Sequence, residues 1–177
     1  MYLQNDPTLS DKLNMISVTL ERPDLLANES EGSKVIILTV LPKEENSAVR
    51  NLTQRFSNNA ATLDCAKILT ETVQGYGLSN LEEDFLFCGR ACFNDFSSRF
   101  LSQLTDAIVG SSKGASLTVV CRLGILNGFF SLNPLIEALT GRLANPVIMI
   151  YPGRREDRVL KFLDGRRTAS VYRAVII

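Results

Sequence analysis

The chain of 177 residues contains no histidine. Histidine is the usual general base near neutral pH and a common metal ligand, so its absence excludes nucleophile systems of the Ser-His and Cys-His kinds. Most hydrolase mechanisms are excluded with them. We therefore expect a protein that is not an enzyme and that has no catalytic residue, no metal site and no cofactor.

Cysteine is also scarce, and the cysteines form no Cys-x-x-Cys pair. All of them lie among apolar residues, at Cys65, Cys88, Cys92 and Cys121. Free cysteine commonly behaves as a small buried hydrophobe, so we expect reduced thiols rather than disulfides or a zinc site. Cys88 and Cys92 are one turn apart on a predicted apolar helical face, and we expect both to pack in the core.

No apolar run reaches the roughly 20 residues that are needed to cross a bilayer. Residues 1–7 also lack the basic and apolar regions of a secretory signal. We therefore expect a cytoplasmic protein without membrane association. Acidic and basic residues balance at 19 each, so no net charge attracts the chain to DNA or to anionic lipid.

The sequence does contain an alternation of apolar strands and amphipathic helices. Unbroken apolar or β-branched runs, typical of strands buried on both faces, occur at residues 35–41, 116–121 and 147–151. Shorter strands are predicted at residues 60–63, 160–163 and 171–177. This order predicts a single three-layer α/β domain over residues 1–177, with a mainly parallel sheet, helices on both faces and the last segments pairing antiparallel at an edge.

The helices are recognised by apolar residues that recur every three or four positions. This spacing predicts a helix over residues 8–21 that Pro23 ends, and further helices that begin near Pro42, Cys65 and Asn133. Ser79 and Glu82 match a capping box at the start of a long helix. The apolar positions of that helix predict one core-facing side, made of Leu81, Phe85, Cys88, Cys92, Phe96, Phe100, Leu104 and Ile108. Residues 110–114 are predicted to form a loop.

The most informative segment follows the strand at residues 147–151. Pro152 and Gly153 predict a tight turn, and arginines crowd the positions after it. In open α/β sheets, ligands bind beyond the carboxyl ends of the strands. The candidate partner-binding residues here are Tyr151, Arg154, Arg155 and Arg158.

A second candidate surface is the apolar segment at residues 122–130, which follows the strand at 116–121. Its aromatic residues Phe129 and Phe130 either pack under the next helix or dock onto another protein. The arginines after Pro152 likewise either form a solvated edge or bind carboxylates or phosphates of a partner. The sequence leaves both pairs of alternatives open.

Two glycine-lysine segments, at residues 32–34 and 110–114, invite comparison with phosphate-binding loops. Both precede a strand, whereas a phosphate-binding loop follows a strand and opens a helix. The loop that does follow the first strand, at residues 42–45, is acidic and has no glycine. The sequence therefore contains no recognisable nucleotide-binding motif.

Several segments, taken in order, carry a resemblance to a known family. A strand ends in proline and acidic residues at 36–45, a later strand leads into Leu-Gly and phenylalanine at 119–130, and Leu135-x-x-Ala-Leu follows. Pro146-Val-Ile-x-Ile-Tyr-Pro-Gly and Leu-Lys-Phe-Leu then precede Tyr-Arg-Ala, and this part, residues 146–174, is the most specific. The chain resembles the BrxB family of the bacterial BREX phage-defence systems.

The resemblance implies a small intracellular accessory protein without catalytic activity. It also implies a partner, a large phosphatase-like protein named PglZ, encoded beside a methyltransferase and an ATPase of the same system. The expected function is therefore binding of a PglZ-like protein. The alternative is binding of nucleic acid or a nucleotide by the basic C-terminal edge, where basic residues outnumber acidic ones from Arg154 onward. Neutral net charge makes the alternative the weaker of the two.

Overall fold

The structure is a computed structural model that describes residues 7–56, 59–162 and 168–177. These residues form one sheet of seven strands. The strands are β1 (Val35–Val40), β2 (Ala60–Asp64), β3 (Leu117–Cys121), β4 (Val147–Glu156), β5 (Val159–Phe162), β6 (Thr168–Ser170) and β7 (Val175–Ile176). The helices are α1 (Leu9–Leu20), α2 (Pro23–Glu29), α3 (Glu45–Arg55), α4 (Cys65–Tyr76), α5 (Leu78–Cys88), α6 (Cys92–Gly114) and α7 (Leu132–Leu139).

The central strands lie in the order β2, β3, β4, β1, β7, and neighbouring strands in this series are parallel. β5 pairs antiparallel with the outer half of β4, and β6 pairs antiparallel with β5. The predicted α/β class, with a mainly parallel sheet and an antiparallel extension, is confirmed.

The two central strands are apolar throughout because helices cover both of their faces. Every residue of β1 is buried, and so are the first seven residues of β4. Successive side chains of a strand point to opposite faces. Ile36 and Leu38 therefore join the core under α1, α2 and α3, whereas Val35 and Ile37 join the core under α4, α6 and α7.

Helix α1 begins where the sequence predicts. Thr8 caps it, with the Thr8 hydroxyl accepting from the Asp11 amide at 3.3 Å while the Asp11 carboxylate accepts from the Thr8 amide at 3.0 Å. The hydrogen bonds from the Thr8 hydroxyl and amide lower the pKa of Asp11. Leu13 and Ile16 are the buried residues of this helix, so the predicted amphipathic pattern is confirmed.

Three predictions about secondary structure are wrong. Residues 110–114 are the last turn of α6 rather than a loop, because Ser112 donates to the Val109 carbonyl and the helix continues to Gly114. The segment 171–177 is not one strand, since residues 171–174 run outside the sheet before β7 pairs with β1. An unpredicted helix, α2, lies in the segment that follows Pro23.

The long helix predicted after Ser79 is in fact two helices, separated by a 3-10 turn at Gly89–Ala91. The capping box is wrong, because α5 begins at Leu78 after Gly77, which has a φ of 88° and supplies no side-chain cap. The predicted inner side holds in α6, where Phe96, Phe100, Leu104 and Ile108 are buried. It fails in α5, none of whose residues is buried.

Among the described residues, no helix is long and apolar enough to span a bilayer. This finding agrees with the absence of a long apolar run in the sequence.

We predict that Phe100→Ala lowers the free energy of unfolding by about 3 to 5 kcal/mol, because the cavity it leaves would lie in the centre of the core. Phe100 is fully buried, and its ring contacts those of Phe129 and Phe130. The matched control is Phe87→Ala on α5, an exposed phenylalanine whose loss should change stability by no more than about 0.5 kcal/mol. Urea denaturation monitored by circular dichroism measures both, and equal effects would contradict the burial assigned to the two helices.

Candidate functional site

A crevice opens at the carboxyl ends of β1 and β4, the neighbouring strands whose continuations diverge. β1 leads into α3, which packs on one face of the sheet, whereas Leu160 of β5 belongs to the core on the other face. Divergence of this kind leaves a gap where ligands of open α/β sheets bind. The cavity there has a volume of about 380 Å³.

The predicted tight turn at Pro152 and Gly153 is wrong, because both residues lie inside β4. Val40 and Pro152 are the last paired residues of β1 and β4, and Gly153 pairs instead with Phe162 of β5. Proline has no amide hydrogen to donate, which suits the point where β4 leaves one partner strand for another. The chain reverses later, at Asp157 and Arg158, between β4 and β5.

Gly153 is required by the close approach of β5. A Cβ atom at this position would lie 2.2 Å from the carbonyl oxygen of Lys161 and 2.9 Å from Cε1 of Tyr151. Only glycine avoids both contacts, so this residue lets β4 pass from the central sheet into the hairpin without a bulge.

The three candidate arginines are all exposed, but they occupy different places. Arg154 and Arg155 line the crevice, whereas Arg158 lies at the turn of the hairpin and is not part of the lining. Arg155 is held by the backbone: its Nη1 donates to the Ile176 carbonyl, and its Nε donates to the Asp157 carbonyl at 2.7 Å. The candidate arginines therefore do not form one cluster.

Helix α1 adds a cation that sequence reasoning missed. Nζ of Lys12 donates to the carbonyl oxygen of Thr39 at 2.8 Å and lies 2.7 Å from its hydroxyl. The Thr39 side chain is fully buried, and its hydroxyl donates to the Ile177 carbonyl at 2.8 Å. The sequence offered no signal for Lys12, because it is one of several polar residues on an amphipathic helix.

Basic side chains outnumber acidic ones in the lining of the crevice. The lining includes the side chains of Lys12, Arg154 and Arg155 and one carboxylate side chain, that of Glu44, among the described residues. That carboxylate accepts from the backbone amide of Leu41 at 3.1 Å and so closes the loop after β1.

Two other cations of the basic C-terminal edge form ion pairs. Lys161 forms an ion pair with Glu156 at 2.5 Å, and Arg173 pairs with Glu31 at 3.4 Å. Arg166 and Arg167 lie outside the described residues. Because Lys161 and Arg173 meet carboxylates of the same chain, they do not extend the exposed arginines into a continuous basic stripe among the described residues, of the kind that follows a nucleic-acid backbone.

The segment after β3 forms a 3-10 helix, Leu123–Gly128, that packs against α6. Leu123 and Leu126 are buried, and Phe129 and Phe130 are half-buried. The ring of Phe129 contacts those of Phe96 and Phe100 at centroid distances of 5.6 and 5.5 Å, and Phe130 also meets Phe100 at 5.6 Å. The alternatives for this segment are packing within the chain and docking onto another protein. Packing covers most of its apolar surface.

Tyr151 lies in the same core rather than on the surface. Its side chain is buried and its ring meets that of Phe162 edge-on at a centroid distance of 6.1 Å. Burial raises the pKa of Tyr151 above its ordinary value. Tyr151, Phe129 and Phe130 line a second cavity of about 350 Å³, which is separate in its lining residues from the crevice.

Among the described residues, the most exposed large apolar side chains lie on α5, where the sequence predicts a core-facing side that includes Phe85. On α5, Phe87 is 92% exposed, Leu86 is 84% exposed, Leu78 is 63% exposed and Phe85 is 47% exposed. The sequence contains a signal of this exposure. Three consecutive apolar residues at positions 85–87 are spread around a helix, so they cannot all face one core. We call these four residues the α5 patch.

The cysteines are only partly where they were expected. Cys65 and Cys121 are buried, but Cys88 is exposed at the end of α5, so its predicted place in the core is wrong. The side chain of Cys92 lies outside the part of the chain that the structure describes, so its place in the core stays a prediction. Burial raises the pKa of Cys121 to about 11 and raises that of Cys65 still further, and carboxylates such as Asp64 add to both shifts.

Carboxylates at the carboxyl ends of β2 and β3 are engaged in structural contacts. Arg122 pairs through Nε with Asp64 at 2.9 Å, and its backbone amide donates to Oε1 of Glu45 at 2.6 Å. Within the described ranges, no group of three or more cysteine, aspartate or glutamate side chains could hold a metal ion.

We predict that Cys88 is alkylated at least about tenfold faster than Cys65 and Cys121 at pH 8. Only a thiolate reacts, and a pKa of about 11 leaves about one in a thousand Cys121 thiols ionised at that pH. Timed iodoacetamide labelling with peptide mass spectrometry follows each cysteine separately. Comparable rates at Cys88 and Cys121 would contradict the placement of α5.

We also predict that Gly153→Ala destabilises the fold by about 2 kcal/mol or more, since the added methyl group overlaps backbone atoms that cannot move freely. The matched control is Gly110→Ala in α6, where a Cβ would meet nothing within 4 Å. That change should stabilise the protein by up to about 1 kcal/mol, because alanine favours a helix. Thermal or urea unfolding distinguishes them, and a neutral Gly153→Ala would show that β5 does not lie against β4.

Comparison with known proteins adds no further constraint on this site. No family model, no curated protein and no solved structure matches the chain. The assignment of function therefore depends on the geometry described above and on the residues at 36–45 and 119–174 that carry the resemblance to the BrxB family.

Proposed function

We propose that this protein is a non-catalytic, cytoplasmic accessory component of a BREX-type phage-defence system and that it binds a PglZ-like protein through the α5 patch. The identity of the partner rests on the resemblance to the BrxB family. The place of contact rests on the exposure of apolar side chains on α5. The lack of histidine in the sequence supports a binding role rather than a catalytic one.

The observation that carries the proposal is the extent of the α5 patch. Taking about 200 Å² for a fully exposed large side chain, the four residues together leave about 570 Å² of apolar surface in water. This sum, taken around the helix, is comparable with the largest apolar patch of a monomer. It is also more than half of the roughly 800 Å² that one partner contributes to a stable interface of standard size.

The attachment of α5 explains why these side chains remain outside the core. Asp84 accepts a hydrogen bond from the Tyr76 hydroxyl, and Leu81 packs at the margin of the core. The ring of Phe85 meets that of Phe93 at 5.9 Å. The helix is thus fixed along one narrow side, and Leu86 and Phe87 project away from it.

Charge defines the kind of surface that fits the α5 patch. Helix α5 contains Glu82, Glu83 and Asp84 and no lysine or arginine, and Glu82 and Glu83 are exposed. Buried acidic groups without partners are costly at an interface. The complementary surface of the PglZ-like protein is therefore an apolar groove with lysine or arginine at its rim, a helix-in-groove contact.

We predict that Leu86→Ser with Phe87→Ser weakens binding to the PglZ-like protein by at least about 100-fold. Truncation of a central anchor commonly costs about 2 kcal/mol or more, and 1.4 kcal/mol corresponds to a factor of ten. Copurification from cells that express both proteins, followed by calorimetry, measures the loss. Because both side chains are exposed, the variant should unfold at the same urea concentration as the parent.

The matched control is Val18→Ser, which removes another exposed apolar side chain, on α1 at the opposite face of the sheet. It should leave binding unchanged. A second comparison, Arg154→Glu with Arg158→Glu, tests the arginines singled out from the sequence. Failure of the two parent proteins to associate at micromolar concentration would overturn the partner, and a larger loss with the arginine variant would overturn the choice of α5.

A further inference from the structure

We propose that the crevice between β1 and β4 is a binding site for a small organic anion, a molecule with an apolar body and one carboxylate or phosphate group. The crevice is formed by α1, the ends of β1 and β7, and β4. It shares no residue with the α5 patch. The inference is therefore independent of the function proposed above.

The position of the crevice favours a ligand. It lies beyond the carboxyl ends of two parallel strands whose continuations go to opposite faces, where small molecules bind in open α/β folds. Its volume of about 380 Å³ is within the range of small-molecule sites, which starts at about 300 Å³.

The charges of the lining select an anion. Arg154 and Arg155 are the exposed cations of the lining, and its one carboxylate side chain among the described residues, that of Glu44, is engaged with the Leu41 amide. Like charges in a concave site reinforce one another and attract an oppositely charged ligand. The two exposed arginines therefore favour a ligand with one anionic group.

Arg155 is pre-positioned for this role. Its hydrogen bonds to the carbonyl groups of Ile176 and Asp157 hold the guanidinium at the crevice wall. A guanidinium carries more N–H donors than these two bonds use, and it binds carboxylates and phosphates with good geometry. Arg154 is exposed, and no described residue forms an ion pair with it.

Most of the remaining wall is apolar. Leu9, Val40 and Ile177 contribute to it, and Met15 and Leu41 keep 47% and 37% of their surface exposed. An inorganic ion would leave these side chains in contact with water. A ligand with an alkyl or aromatic body would cover them, and this gain adds to the electrostatic attraction.

A nucleoside triphosphate does not fit this lining. The loop after β1 begins with the 3-10 helix Pro42–Glu44, which contributes a carboxylate and no glycine to the crevice. Several adjacent phosphates need a series of backbone amides, which a glycine-rich loop provides. The proposed ligand therefore carries a single anionic group rather than a chain of phosphates.

The test is titration of the full chain with octanoate, octyl phosphate and octanol, followed by amide chemical shifts in ¹⁵N-labelled protein. We expect saturable shifts with the two anions at amides that border the crevice, such as those of Val40, Gly153 and Ile177. Octanol should bind at least about tenfold more weakly, since it cannot make charge-assisted hydrogen bonds. The ratio of the affinities for octanoate and octyl phosphate identifies which anionic group the site prefers.

Two variants make the test specific. Arg154→Glu should weaken octanoate binding by at least about tenfold, because it reverses a charge at the crevice. Arg158→Glu reverses an exposed charge of the same hairpin outside the lining and should leave the affinity unchanged. Equal binding of octanol, equal effects of the two variants, shifts confined to α5, or no saturation at millimolar concentration would each overturn the proposal.

Discussion

The pairing of β1 with β4 is the contact on which the rest of this structure depends. Six consecutive residue pairs, from Val35 with Val147 to Val40 with Pro152, join two strands that are buried on both faces. A parallel pair of this kind is stable only when helices remove both faces from water. The two helical layers are therefore a requirement of the central strands, and each layer forms its own core.

The same pair also determines where the crevice lies. β4 is longer than β1, so beyond Pro152 it has no partner on that side and turns toward β5. Gly153 permits this change of partner because Lys161 approaches too closely for any side chain. The gap that results is bordered by Arg154 and Arg155, and α1 supplies Lys12 from the other side. The greater length of β4 thus produces a crevice with basic side chains at its border.

The two surfaces proposed for binding differ in physical character. The crevice is concave and lined by basic side chains, whereas the α5 patch consists of exposed apolar side chains on a helix that also carries three carboxylates. A concave basic site suits a small anion, and a projecting apolar helix suits a groove on a larger protein. Because they share no residue, the two proposed sites do not compete for the same side chains.

The exposure of Cys88 and the burial of Cys121 follow from the elements in which the two residues lie. Cys88 belongs to α5, which contributes no buried residue, and Cys121 ends a strand of the sheet. The phenylalanines after β3 pack against α6, so their aromatic rings contribute to the stability of the core. The α5 patch differs because its side chains remain in water, and the proposed contact with a protein depends on them.

The sequence by itself determined the α/β class, the central strands and most of the helices, because residue periodicity records which faces are buried. It also determined the absence of histidine chemistry. Only the tertiary structure decided that Pro152 and Gly153 lie within a strand, that Lys12 meets Arg154 and Arg155 across a crevice, and that Phe87 faces water. These features depend on contacts between distant segments, and local apolar patterns are the same whether the partner surface is in the chain or outside it.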